Sequence, residues 1–290
     1  MKSKLQKKMI EDMQLRGYAD RTQSSYIRSV RQLENYWHVP AEEISEQQVR
    51  DYFLFCKNEA KWKAATMRIA YCGIKFFYTQ TLPQDWETIR LLKIKRLATP
   101  PTVLSIDEVR LILKTARMPQ VKAFVTTVYS CGLRLSEALN LEVSDIDSER
   151  MTLRVLGKGS KERFVPLPHS TYEVLRTYWK THRNPRLIFP ALGRKRDQGH
   201  TAQKPMAITS VQGALRRVMS QLPKIQKHVT IHTLRHSYAT HLLEAGVNIR
   251  LVQQYLGHSS LVTTMIYLHV ARCAVSQAHS PLDTLYKEAL

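Results

Sequence analysis

Cysteine is scarce in this chain, with four in 290 residues, and Cys56, Cys72, Cys131 and Cys273 stand far apart with no Cys-x-x-Cys pair. That spacing reads as reduced thiols buried as small apolar side chains, and it is too loose for a structural zinc site. Long apolar runs are also missing. None approaches a membrane span, and the start (Met1-Lys2-Ser3-Lys4) lacks the apolar stretch of a secretory leader. A cytoplasmic protein with no membrane partner is expected. Acidic residues are few, 24 against 44 Lys and Arg, for a net charge of +20 and a pI near 9.9. Such an excess calls for a polyanionic partner. No internal repeat or low-complexity tract is present, and a 43% hydrophobic content is that of a folded protein.

The remaining patterns predict a mainly helical protein with a small β-sheet in its C-terminal part. Tyr26, Val30, Leu33 and Trp37 recur at helical spacing and make one apolar stripe. Ser45, with Gln48 three residues on, opens a second helix, and an apolar run over 64–79 gives a third. Residues 1–95 thus read as a helical unit, interleaved with Lys57, Lys61, Lys63, Arg68 and Lys75. Basic residues and the pair Pro100-Pro101 place a linker at 96–101. A second unit over 102–290 begins with Ser105-Ile106-Asp107-Glu108, a capping-box pattern. Helices are expected at 105–117, 120–130, 135–141, 171–181, 210–219, 233–245 and 249–256. Between them Met151, Leu153 and Val155 alternate as in a half-buried strand, Gly157 to Ser160 supplies a turn, and Phe164-Val165-Pro166 returns.

Residues 154–236 hold 17 Lys or Arg against three acids, Glu162, Glu173 and Asp197. A segment so one-sided favours a groove that tracks phosphates. It also contains or adjoins six residues able to hold a phosphate, move protons or attack phosphorus: Arg134, Lys158, His232, Arg235, His258 and Tyr267. His232 and Arg235 are three apart and are expected on one helix face. Gly246 and Gly257 should end successive helices, with Ser260 capping a short last helix that carries Tyr267. Singly, each residue reads as structural: Tyr267 as a half-buried core tyrosine, His232 and His258 as hydrogen-bonded core histidines, His236 and His241 more so. His232, His236 and His241 also leave a zinc site open, although no nearby Cys or Asp completes the set.

As an ordered array the residues are more specific. The stretches Gly132-Leu133-Arg134-Leu135-Ser136-Glu137, Gly157-Lys158-Gly159-Ser160-Lys161, His232-Thr233-Leu234-Arg235-His236, Leu256-Gly257-His258 and Tyr267 resemble the tyrosine recombinase (phage-type integrase) family. The resemblance spans 102–275 and fills all six catalytic positions of the family pattern. It implies an N-terminal core-binding (SAM-like) domain over 1–95 and a recombinase catalytic domain over 102–290. It further implies a site-specific recombinase acting on double-stranded DNA as a homo-tetramer, bacterial or encoded by a mobile element, with no cofactor.

Carried over residue by residue, the resemblance makes Tyr267 the nucleophile that forms a 3′-phosphotyrosine, with strands exchanged through a Holliday junction. Arg134 and Arg235 would clamp the phosphate oxygens, Lys158 would protonate the leaving 5′-oxygen, His232 would accept or shuttle the tyrosine proton, and His258 would bond the phosphate. Elementary chemistry agrees. A phenol of ordinary pKa costs roughly 4 kcal/mol to ionise at neutral pH, which a base or a field of cations can offset. Four basic groups can do the charge work that metal ions do elsewhere, and no carboxylate cluster is evident, so neither metal nor ATP is expected. Two other readings stay open: a non-catalytic accessory DNA-binding protein, and a type IB topoisomerase-like activity. The tail Pro281–Leu290 has a small apolar stripe that could dock on its own domain or on a neighbouring subunit.

Overall fold

A computed structural model describes residues 4–91, 100–157, 161–193 and 198–271. By contact the chain divides into two units, 1–99 and 100–290. Most of the expected linker, 96–99, and the tail 281–290 lie outside the described residues.

The first unit is helical: α1 (Lys4–Leu15), α2 (Asp20–Trp37), α3 (Glu46–Asn58), α4 (Ala64–Phe76) and α5 (Glu87–Leu91), with a π-turn at Phe77–Thr81. The stripe on α2 faces inward: Leu33 is fully buried, Val30 nearly so, and Tyr26 and Trp37 pack at the edge. Ser45 opens α3 as its spacing predicts, its Oγ accepting from the Gln48 N–H while the Gln48 side chain takes the Ser45 N–H. The core is aromatic, and buried Tyr78 donates its hydroxyl to the Ala41 carbonyl at 2.6 Å.

In the second unit, α6 (Ile106–Thr115), α7 (Pro119–Cys131) and α8 (Leu135–Leu139) precede the strands β1 (Ile146–Asp147), β2 (Thr152–Leu156) and β3 (Glu162–Pro166). Then come α9 (His169–Trp179), α10 (Ile208–Ser220), α11 (Ile231–Glu244), α12 (Ile249–Leu256) and α13 (Leu261–Met265). The antiparallel sheet runs β1-β2-β3, with Leu153 opposite Val165 and Val155 opposite Arg163. Leu153, Val155 and Val165 point into the core, and by the two-residue period Arg163 points with them. A buried charge at that position demands a partner.

Helix α11 positions the site. It is buried on nearly every side, between the main core (Leu234, Phe124, Phe189) and a second cluster of Tyr238, Leu243, Val252, Leu256 and Tyr267. Its first turn is fixed by Thr230 and Thr233, which exchange side-chain and backbone hydrogen bonds. Deeper in, Ser237 Oγ accepts from the Leu104 N–H at 2.9 Å. His241 Nε2 donates to the Leu104 carbonyl, so its Nδ1 accepts from Tyr129 Oη, each at 2.9 Å. Both nitrogens of His241 are therefore engaged away from His232 and His236, and among the described residues no three metal-ligating side chains converge.

Candidate active site

Two left-handed glycines bring three segments together. Gly132 (φ +61°) ends α7, and a Cβ there would overlap the Tyr238 ring. Gly257 (φ +59°) ends α12, and a Cβ would press on the Arg163 side chain at 3.0 Å. The chain turns sharply at each, delivering Arg134 to the start of α8 and His258 to the loop after α12. The carbonyls left at those turns become part of the site.

Glu137 is the electrostatic centre. It is buried on α8, where its Oε2 accepts from the Arg134 N–H at 2.8 Å. Its Oε1 pairs with Arg134 Nη1 at 2.6 Å, and its two oxygens take Arg163 Nη1 and Nη2 at 3.1 and 2.8 Å. Arg235 Nη1 stands 3.7 Å from Oε2. Burial alone would raise the Glu137 pKa, but the hydrogen bonds from Arg163 and Arg134 and the charge of Arg163 hold it down to about 2. Arg163 also donates Nε to the Tyr255 carbonyl at 2.8 Å, tying β3 to the end of α12.

Arg235 is 3% exposed. Its Nη1 donates to the Gly132 carbonyl and its Nη2 to the Leu256 carbonyl, both at 2.6 Å, and Nη2 reaches His258 Nε2 at 3.1 Å. Burial, then the charge of Arg134, lowers its pKa to about 10, which leaves it a cation at neutral pH. A guanidinium can only donate. His258 therefore accepts at Nε2 and carries its proton on Nδ1, which donates to buried Thr264 Oγ1 at 2.9 Å. Burial first, then Arg235, Arg134 and Arg163, push His258 down to about 4. Arg134 completes the set through Nη2 to the Gly257 carbonyl at 3.2 Å.

Tyr267 is 1% exposed, its ring stacked on His258 at 6.4 Å between centroids and its Oη 2.9 Å from His236 Nδ1. Burial raises its pKa, opposed by the charges of Arg235 and Arg134. His232 lies on the solvent side of α11, its ring 6.5 Å from that of His236. Desolvation, then Arg235 and Arg134, lowers its pKa.

The structure thus gathers Arg134, Arg235 and His258 through hydrogen bonds, with the Tyr267 ring stacked on His258 and its Oη bonded to His236, one helical turn from His232. Lys158 lies outside the described residues; the Gly157 N–H meets the Lys161 carbonyl at 2.8 Å on either side of it. His232 and Arg235, about 60° apart around the helix, differ in depth: Arg235 is buried and His232 exposed. Two expectations need correcting. Tyr267 sits in the turn after α13, not on that helix. Ser260 precedes α13 without a side-chain cap bond. Sequence reasoning also missed Glu137 and Arg163 and set His236 aside as structural. The third residue of α8 and the inward phase of β3 were the available signals for the first two. The i, i+4 spacing of His232 and His236 was the signal for the third.

Residues 102–273 match the model of the phage integrase family, and residues 5–88 match that of a phage integrase N-terminal SAM-like domain. The chain belongs to the phage integrase family. An integrase/recombinase of Sinorhizobium fredii is 37% identical over 98% of this chain and 90% of its own length. The tyrosine recombinase XerD of Halalkalibacterium halodurans is 29% identical over 91% and 92%. Among solved structures, the Tn1549 transposon integrase in complex with transposon right end DNA shares the fold, with a TM-score of 0.71 at 17% identity over 98% of each chain. The family is that of the tyrosine recombinases, DNA breaking–rejoining enzymes, and the chain's class of activity is site-specific DNA recombination. No helix among the described residues is long and apolar enough to cross a membrane.

Proposed function

We propose that Tyr267 attacks a phosphodiester of double-stranded DNA, forming a 3′-phosphotyrosine and freeing a 5′-hydroxyl. Arg134 and Arg235 bind the non-bridging oxygens and stabilise the charge that builds in the transition state. His258 bonds the phosphate, Lys158 protonates the leaving 5′-oxygen, and His232 shuttles the tyrosine proton. Attack by another strand's 5′-hydroxyl reseals the backbone. The bond energy is kept in the phosphotyrosine, so no ATP is needed, and the cations do the work that a metal ion would do. Two DNA sites are held by four copies of the chain, and strands exchange pairwise through a Holliday junction. Residues 1–95 form a DNA-binding domain, 96–101 a linker and 102–290 the catalytic domain, working in the cytoplasm on a bacterial or mobile-element site.

One observation carries this reading. Arg134, Arg235 and His258 are held together by hydrogen bonds around Glu137, the carboxylate that pairs with the cations among the described residues, and the Tyr267 ring stacks on His258. The test is Tyr267→Phe on a nicked suicide substrate. Covalent protein–DNA adducts should vanish while binding survives; adducts that persist would sink the assignment of the nucleophile.

A further inference from the structure

We infer that His236 is the base that takes the Tyr267 proton during strand cleavage and returns it on rejoining. The inference deepens the proposed function and rests on Tyr267 being the nucleophile. Its ground is contact. His236 Nδ1 lies 2.9 Å from Tyr267 Oη, and the two rings are 5.7 Å apart at 45°. A phenol buried to 1% exposure needs an acceptor for its O–H. The Nδ1 lone pair supplies it when the imidazole is neutral with its proton on Nε2.

The surroundings keep that ring neutral. Burial first, then the charges of His232 and Arg235, lower the His236 pKa to about 4. The groups that face it are His232 and Arg235 on its own helix, and Tyr267, itself stacked on His258, from the turn after α13. By itself so weak a base would not ionise a phenol. A phosphodiester anion entering between the guanidiniums raises the imidazole's affinity for a proton. As Oη bonds to phosphorus its own proton becomes acidic, so transfer accompanies attack.

The balance is complete. The Oη–H bond breaks and Nδ1–H forms. An Oη lone pair makes the O–P bond while the P–O5′ pair leaves with the 5′-oxygen, which takes a proton from the general acid, Lys158 on the proposed reading. Rejoining runs the same steps backward, with the imidazolium as acid. His232, on the solvent side with its ring 6.5 Å from that of His236, passes that proton on to water.

The test is single-turnover adduct formation by His236→Asn, whose side-chain oxygen can accept the phenol's hydrogen bond but cannot take its proton. Adduct formation should slow at least about 100-fold with DNA affinity unchanged. Fluorinated tyrosine at position 267 has a more acidic phenol that depends less on a base, so the loss caused by His236→Asn should shrink when both proteins carry it. A His236→Asn protein that cleaves within about threefold of the parent would overturn the inference, as would a loss that fluorination does not relieve. Should the variant not fold, the imidazole nitrogen-15 shifts of the unmodified protein decide: Nδ1 must be unprotonated, and a protonated Nδ1 refutes the assignment. Adducts in Tyr267→Phe would instead refute the nucleophile, so the two failures are distinguishable.

Discussion

Arg235 and Tyr267 are buried almost equally, at 3% and 1% exposure, yet they are held in opposite ways. The arginine is bonded to two carbonyls at the ends of two helices and to an imidazole, and it stands beside a carboxylate that grips two further guanidiniums. The tyrosine has one side-chain hydrogen bond among the described contacts. It follows a five-residue helix whose neighbourhood exposes Val262, Met265, Ile266 and Leu268. The difference separates two tasks. On the proposed reading, charge that must already be in place when a transition state forms is built into the core, whereas the group that must meet its target is placed on a short, lightly anchored segment.

Breaking the rigid side should have the largest effect. Glu137→Ala strands Arg163 in the core without its carboxylate and removes the ion pair of Arg134, so stability should fall by about 3–5 kcal/mol in denaturant unfolding. A loss under about 1 kcal/mol would show that the cluster is not the anchor described here.

Acid should dissect the two sides in sequence, and the sign follows from each pKa. His236 and His258 have folded values near 4, below the ordinary 6.5, so the unfolded chain takes up their protons first. Their contribution is complete above about pH 6.5 and is lost as pH falls toward 4, at no more than about 1.4 kcal/mol per displaced unit. Glu137, depressed from 4.5 to about 2, contributes fully above its unfolded value and loses that contribution only as pH falls from about 4.5 toward 2. Histidine-to-glutamine variants at 236 and 258 should therefore flatten the first stage of a stability–pH curve and leave the second. The smallest effect belongs to the lightly held segment's outer face. Val262→Ser, at a side chain 70% exposed, should change stability by less than about 0.5 kcal/mol. A larger loss would mean that the segment is anchored more firmly than its contacts indicate.

Local chemistry made much of this legible from sequence. The capping pairs Ser45–Gln48 and Ser105–Glu108 form as their spacing predicts, and α12 has the expected bounds. The alternation of Leu153 and Val155 marked β2, and Gly257 stops its helix as expected. Each of these signals lies within a few residues of its effect. Unread were the features set by pairing across the chain. Glu137 meets Arg163 26 residues on, and His236 meets Tyr267 across 31. A two-residue strand such as β1 has no period to detect. For His236 the only local sign is its i, i+4 spacing from His232; nothing nearby in the sequence shows that a phenol approaches it from another segment.

The burial of Tyr267 also has a kinetic meaning. Phosphorus must come within bonding distance of Oη, and a side chain 1% exposed offers no such approach. On the proposed reading, the site must therefore open to admit the phosphate while Tyr267 Oη keeps its bond to His236. Were one molecule in about a hundred open at a given moment, reactivity toward any DNA would fall about a hundredfold unless that DNA shifted the balance. On that reading, duplex that merely neutralises surface charge gains nothing from opening and stays intact. A site whose contacts favour the open form recruits its own cleavage, so the discrimination lies in a conformational equilibrium as well as in the reading of bases.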